Sequence, residues 1–154
     1  MTDTDTAAPS SPNPAEVLFD SGLFCAEAVL LAMARRVGID SPLIPGIATG
    51  LCSGMARGGQ TCGALSGAVL GMGLVGGRRD AEQLAGEAYG LVKPLVMQFE
   101  QRFGATTCPA LLGCDLATPE GQRTFRLDKL GTTRCRVFTG AAFDMAMDIL
   151  DLPD

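Results

Sequence analysis

Between Gly58 and Gly77 the chain carries no charged side chain, and eight of these twenty residues are glycine. So long an uncharged run can only cross a membrane or bury itself inside a fold. Gln60, Thr61 and Ser66 interrupt the run, and it lacks the aromatic belts that mark the ends of a membrane span. Gly63, Gly67 and Gly71 recur every four residues, with Ala64 and Ala68 beside them. That spacing gathers the glycines on one helical face, where a neighbouring backbone can come close. Each glycine costs a helix about 1 kcal/mol, so tight packing against that face has to compensate. The run predicts a buried central helix over 61–75 and no membrane span.

The flanking sequence predicts more helices. From Pro14 to Val37 apolar residues fall at helical spacing with a break at Ser21-Gly22, giving two pieces, the second opening near Cys25 and stopped by Gly38. Asp40-Ser41-Pro42 reads as the start of a shorter segment through Ile44, Ile47 and Leu51, followed by a glycine-rich loop over 50–59. Asp80 to Gly104 predicts a long amphipathic helix containing Pro94, with Leu84, Ala88, Leu91, Leu95 and Phe99 on its apolar side. A helical turn at 108–112, a segment capped by Thr118-Pro119-Glu120 and a last helix from about Thr133 to Leu150 complete the set. No stretch alternates at period two long enough to demand a sheet. The expectation is an all-α, compact bundle of about five to seven helices around the glycine-rich one. Residues 1–14 are polar and rich in Thr, Ser, Pro and Asp, and read as a disordered tail before a single helical domain over 15–154.

Several functions are excluded by what is missing. The chain of 154 residues has a net charge of −5 and no continuous basic face, which argues against nucleic-acid binding. It has no histidine. That removes Ser-His-Asp and Cys-His nucleophile pairs, His-containing zinc sites and covalent haem attachment. No phosphate-binding Gly-x-x-x-x-Gly-Lys-Ser/Thr occurs, and the acidic residues fall mostly at helical surface spacing. The tail has neither the basic nor the apolar region of a secretory signal, and Arg35-Arg36 lies within a helical pattern, so a reducing cytoplasm is the expected compartment.

Six cysteines remain as candidates for chemistry: Cys25, Cys52, Cys62, Cys108, Cys114 and Cys135. None forms a Cys-x-x-Cys pair, so neither a thioredoxin motif nor a zinc ribbon is present. Cys62 follows Thr61, Cys108 follows Thr106-Thr107, Cys135 follows Thr133 by two, and Cys25 begins a helical piece. Four thiols are therefore expected in first turns, where free N–H groups and the helix dipole favour a thiolate. Arg134 and Arg136 beside Cys135 would push the same way. Set against this, free cysteine is often just a small buried hydrophobe.

Phe24-Cys25-Ala26-Glu27-Ala28-Val29, Cys62-Gly63-Ala64-x-x-Gly67, Cys108 with Leu111-Leu112-Gly113, Thr118-Pro119-Glu120-Gly121 and Cys135 together resemble the C-GCAxxG-C-C family of putative redox-active proteins. The resemblance spans about 15–150 and implies that Cys25, Cys62, Cys108 and Cys135 are the family cysteines, with Cys52 and Cys114 as extras. It implies a redox role without naming a reaction, so whether the chain is an enzyme stays open.

Three functions compete. In the first, Cys25, Cys62, Cys108 and Cys135 hold an iron–sulfur cluster for electron transfer, with Gly63 and Gly67 leaving backbone N–H groups open to it; structural zinc is the same site with another metal. In the second, Cys62 is the nucleophile of a metal-free thiol–disulfide protein, resolved by Cys25, Cys108 or Cys135. In the third, the cysteines only pack or form structural disulfides in a non-catalytic module. The expected partner is a redox protein, with a homodimer as an option.

Overall fold

A computed structural model describes residues 11–153; most of the expected tail, 1–10, lies outside the described residues. Asn13 and Pro14 belong to the helical domain: the Asn13 side chain accepts from the N–H groups of Ala15 and Glu16 at 3.0 and 3.2 Å, and Pro14 opens α1 (Pro14–Asp20). Gly22, at φ +111°, makes the break before α2 (Cys25–Arg36). Glu27, in the first turn of α2, reaches back to accept from the Phe24 N–H at 2.8 Å. Arg35 and Arg36 occupy the last turn, where the helix dipole favours cations.

The next region departs from expectation. No helix starts at Asp40; only Gly46–Leu51 forms a 3₁₀ helix, because Pro45 lacks an N–H and would break a helix passing through it. The following element, α3 (Cys52–Arg57), is a left-handed turn in which Ser53, Gly54, Met55, Ala56 and Arg57 all have φ between +52° and +68°. Left-handed geometry costs non-glycine residues roughly 1–2 kcal/mol each. The Gly58 N–H to Met55 carbonyl bond (2.9 Å) and the Gln60 N–H to Gly54 carbonyl bond (3.0 Å) hold the turn.

The central helix is α4 (Gly63–Gly76), two residues later than expected at its start. All of its glycines but Gly73 clear a specific neighbour. A Cβ on Gly67 would lie 2.6 Å from the Ala26 carbonyl oxygen, one on Gly71 would strike the Met33 sulfur, and one on Gly76 would lie 2.7 Å from the Leu91 side chain. The stripe thus seats α2 alongside α4 with their N-termini together. α5 (Gly86–Phe103) and α8 (Arg136–Leu150) pack on α4 as well. Phe99, Phe103 and Phe138 form an edge-to-face group joining α5 to α8, with centroids 4.9 Å apart in the two Phe103 pairs.

α5 starts six residues later than expected and runs through Pro94. Asp80 does cap a turn, accepting from the Glu82 and Gln83 N–H groups at 3.0 Å each, but Leu84 is 89 % exposed and has no core beneath it. α6 (Cys108–Leu112) and α7 (Pro119–Leu127) follow, the latter capped by Thr118, which accepts from the Gly121 N–H at 3.0 Å. A π-helical turn (Gly131–Cys135) then passes directly into α8.

α1 is tied to α8 by Asn13, which donates to the Gly140 carbonyl at 3.1 Å, and by Arg136, paired with Glu16 at 2.7 Å and Asp20 at 2.8 Å. The expected all-α architecture around a glycine-rich helix is observed; of the eight α-helices among the described residues, α3 and α6 have only six and five residues. The one β feature among the described residues is an isolated bridge between Thr61 and Thr107. No helix among them is long and apolar enough to cross a membrane. The 14 residues of α4 reach about 21 Å, short of a hydrocarbon core of about 30 Å.

Candidate functional site

The Thr61–Thr107 bridge puts two of the four expected thiols side by side. The Cys62 N–H donates to the Thr106 carbonyl at 2.8 Å and the Cys108 N–H donates to the Gln60 carbonyl at 2.9 Å. Two β-branched threonines suit this extended pairing better than capping, and the Thr107 side chain makes no cap bond. Gly54 of the left-handed turn closes over the pair, since a Cβ there would lie 2.7 Å from the Cys108 Cβ.

Gly63 brings in the third thiol. The Cys25 sulfur sits against the point where a Gly63 Cβ would be, which also lies 3.0 Å from the Cys52 Cα. Cys135, at the end of the π-helical turn, supplies the fourth. Cys25, Cys62, Cys108 and Cys135 all line one cavity of about 630 Å³, together with Cys52, Gly63 and apolar side chains that include Phe19, Leu111, Leu112, Phe125 and Phe138. Four segments distant in sequence therefore deliver their cysteines to one chamber.

The remaining expected residues fall differently. Gly67 is not on the cavity wall; its missing side chain makes room for the Ala26 backbone, and its role is packing. Cys114 is half-buried and also off the wall. Cys52, set aside as an extra on sequence, is on the wall and 4 % exposed, with its thiol directed at the Ala48 carbonyl at 3.6 Å. Its placement depends on the left-handed turn, for which the sequence carries no signal beyond its glycines.

At Cys62, Cys108 and Cys135 the expected thiolate character is reversed. Burial pushes the Cys62 thiol up to about 11, although the amides of Ala64 and Leu65 at the start of α4 pull the other way. The helix-start effect is present there, and desolvation outweighs it. Burial, with Cys114 and Asp115 nearby, pushes Cys108 up to about 11. Cys135 is pushed up to about 12 by burial and by the neighbouring Cys62 and Cys108. Cys52 is raised further, first by its contact with Cys25 and then by burial.

Cys135 is not at a helix start either, because the π-helical turn precedes it and its carbonyl already accepts from the Thr139 hydroxyl at 2.8 Å. The flanking arginines are engaged elsewhere. Arg134 donates to the Leu111 carbonyl at 2.8 Å, and Arg136 is paired with Glu16 and Asp20.

Among the side chains on the wall that could bind a metal, the sulfurs of five cysteines stand beside the neutral oxygens of Thr49, Ser53 and Gln122, with no Asp or Glu. Thiolates are soft ligands that suit zinc, copper(I) and iron–sulfur clusters. Among the described residues no three Cys, Asp or Glu side chains converge closely enough to hold a single metal ion. The thiols are arranged around a chamber rather than about a point.

A family model described as "Putative redox-active protein (C_GCAxxG_C_C)" matches residues 23–149. The chain belongs to this family. No curated protein and no solved structure matches it. In this C_GCAxxG_C_C protein the Cys62-Gly63-Ala64-x-x-Gly67 motif has a physical meaning. Gly63 clears space for the Cys25 sulfur, Gly67 clears space for the Ala26 backbone, and the fully buried Ala64 packs between them in the core. The motif docks the first turn of α2 onto the first turn of α4, which brings Cys25 to the chamber that Cys62 lines.

Proposed function

We propose that this C_GCAxxG_C_C protein is an electron-transfer module in which Cys25, Cys62, Cys108 and Cys135 ligate an iron–sulfur cluster. The observation that carries the proposal is the lining of one apolar chamber by these four thiols, drawn from four separate segments. Left alone, these buried thiols stay protonated, because burial and their neighbours disfavour charge. Metal binding takes the proton off a coordinating thiol and compensates the buried charge. When bound, such a cluster supplies one-electron redox chemistry.

The residues around it have definite work. The amides of Ala64 and Leu65 favour negative charge on the Cys62 sulfur and would hold electron density there. The phenylalanine and leucine wall restricts water, which tunes potential in iron–sulfur sites. A cytoplasmic location and a protein redox partner complete the proposal.

The competing readings are weaker on specific grounds. As a metal-free nucleophile Cys62 is 6 % exposed and, at a pKa of about 11, ionised to roughly one part in ten thousand at neutral pH. Zinc favours four donors at one tetrahedral point, and no such convergence exists among the described residues. Cysteines serving only as packing have no reason to share one cavity, whereas these four, packed in or against the core, all line the same chamber.

The test is iron and acid-labile sulfide content, with a visible absorption spectrum, on protein purified without oxygen. Iron with matching sulfide is expected, lost in Cys62→Ser and Cys108→Ser and retained in Cys52→Ser and Cys114→Ser. Zinc alone, or no metal after anaerobic reconstitution, would overturn the proposal.

A further inference from the structure

We propose that Cys25 and Cys52 are a reactive dithiol pair that closes to a disulfide while reducing small, anionic disulfides admitted to the chamber. The inference concerns the chain before a cluster is bound, because Cys25 cannot ligate iron and attack a disulfide at once, and it gives a role to Cys52, a cysteine outside the family motif. The geometry centres on Gly63: the Cys25 sulfur occupies the space beside its missing side chain, and the Cys52 Cα lies 3.0 Å from the same point. The Cys52 thiol donates to the Ala48 carbonyl at 3.6 Å, and Cys25 is the neighbour that does most to raise its pKa. Cys25 also packs on the small apolar cluster of Ala26, Leu30, Ala48 and Cys52.

The two sulfurs differ in access. Cys25 is half-buried and faces the chamber, while Cys52 is 4 % exposed behind it. An incoming disulfide therefore meets Cys25 first. The Cys25 thiolate attacks one sulfur of the substrate, forming a mixed disulfide and expelling the first thiolate, which takes up the proton Cys25 gave. The Cys52 sulfur then attacks the Cys25 sulfur as its proton passes to the second thiolate it expels, forming the Cys25–Cys52 bond. Two protein thiols are oxidised by two electrons and one substrate disulfide is reduced to two thiols.

Substrate size and charge follow from the wall. About 630 Å³ suits a small molecule. Arg57 and Arg126 are on the wall, no carboxylate is, and among the described residues neither arginine side chain is ion-paired or hydrogen-bonded. The whole chain carries −5, so preference for an anion would have to come from these two local cations against the overall field.

The experiment uses reduced, metal-free full-length protein under argon, treated with glutathione disulfide, quenched by alkylation and mapped by peptide mass. Loss of two hydrogens, release of two glutathiones and a Cys25–Cys52 linkage are expected. Cys52→Ser should stop as a glutathione adduct on Cys25. The cationic disulfide cystamine should react at least several-fold more slowly, with the gap narrowing in Arg57→Ala/Arg126→Ala. A linkage between any other pair, no linkage, or intramolecular closure in Cys52→Ser would overturn the pair. Equal rates with the two disulfides would overturn the anionic substrate class. Should Cys52→Ser not fold, the wild-type map decides by itself.

Discussion

At Gly63 a single methyl group would meet the Cys25 sulfur, the Cys52 Cα and the Leu51 carbonyl at once. Gly63→Ala is therefore expected to cost about 1–3 kcal/mol in denaturant unfolding, in the range of other overpacked sites. It should also displace Cys25 from the chamber, so that iron content falls further than stability does. An unchanged iron content in a stable Gly63→Ala protein would contradict the role given to that glycine. A second consequence concerns pH. In the reduced, metal-free protein Cys62, Cys108 and Cys135 titrate near 11 to 12, above an ordinary thiol value of 9.0. Below 9 both folded and unfolded chains keep these protons, and the full stability is present. As pH rises from 9 towards 11–12 the unfolded chain ionises while the folded one resists, so folded stability declines. Urea unfolding at about pH 8 and about pH 10.5 should show the loss, and a metal-loaded sample should not share it, because its sulfurs are already deprotonated.

At the scale of elements, α4 was readable because one signal served two purposes. The four-residue glycine spacing both identifies a helix and states that another backbone lies against it. Gly67→Ala would put a carbon 2.6 Å from the Ala26 carbonyl oxygen and 2.8 Å from its Cα, both main-chain atoms that cannot rotate away. A loss of at least about 1–3 kcal/mol is expected, with α2 forced off α4. Gly73 of the same helix has nothing within 4 Å of such a carbon. Gly73→Ala should stabilise by up to about 1 kcal/mol through helix propensity alone. Thermal unfolding of the two variants side by side separates packing from propensity, and equal effects would contradict the seating of α2. The start of α5 was misread for a related reason. Asp80 carries a true capping signal but closes only a local turn, because no core lies under Leu84 to carry the helix on. Helix-start chemistry fixes where a turn can form, and tertiary burial decides whether it propagates.

At the scale of the whole molecule, the four motif cysteines were legible from their local settings, but their convergence was not. It depends on the Thr61–Thr107 bridge, on the π-helical turn before Cys135 and on the left-handed turn after Cys52, three irregular features without a periodic signature. Because Cys52 is placed by the left-handed turn, nothing local in the sequence marks it, and strained backbone of this kind tends to gather at functional sites. The expected thiolate character failed because helix-start logic is local, whereas desolvation is set by how the whole chain closes over the sulfurs. The central claim is that four distant cysteines surround one chamber and together ligate one cluster, and X-ray absorption at the iron edge of anaerobically purified protein tests it most directly. The account predicts a first shell of sulfur alone with iron–iron scattering beyond it, both lost when Cys62 is replaced by serine. A shell of nitrogen or oxygen, or the same sulfur shell surviving in Cys62→Ser, would contradict it.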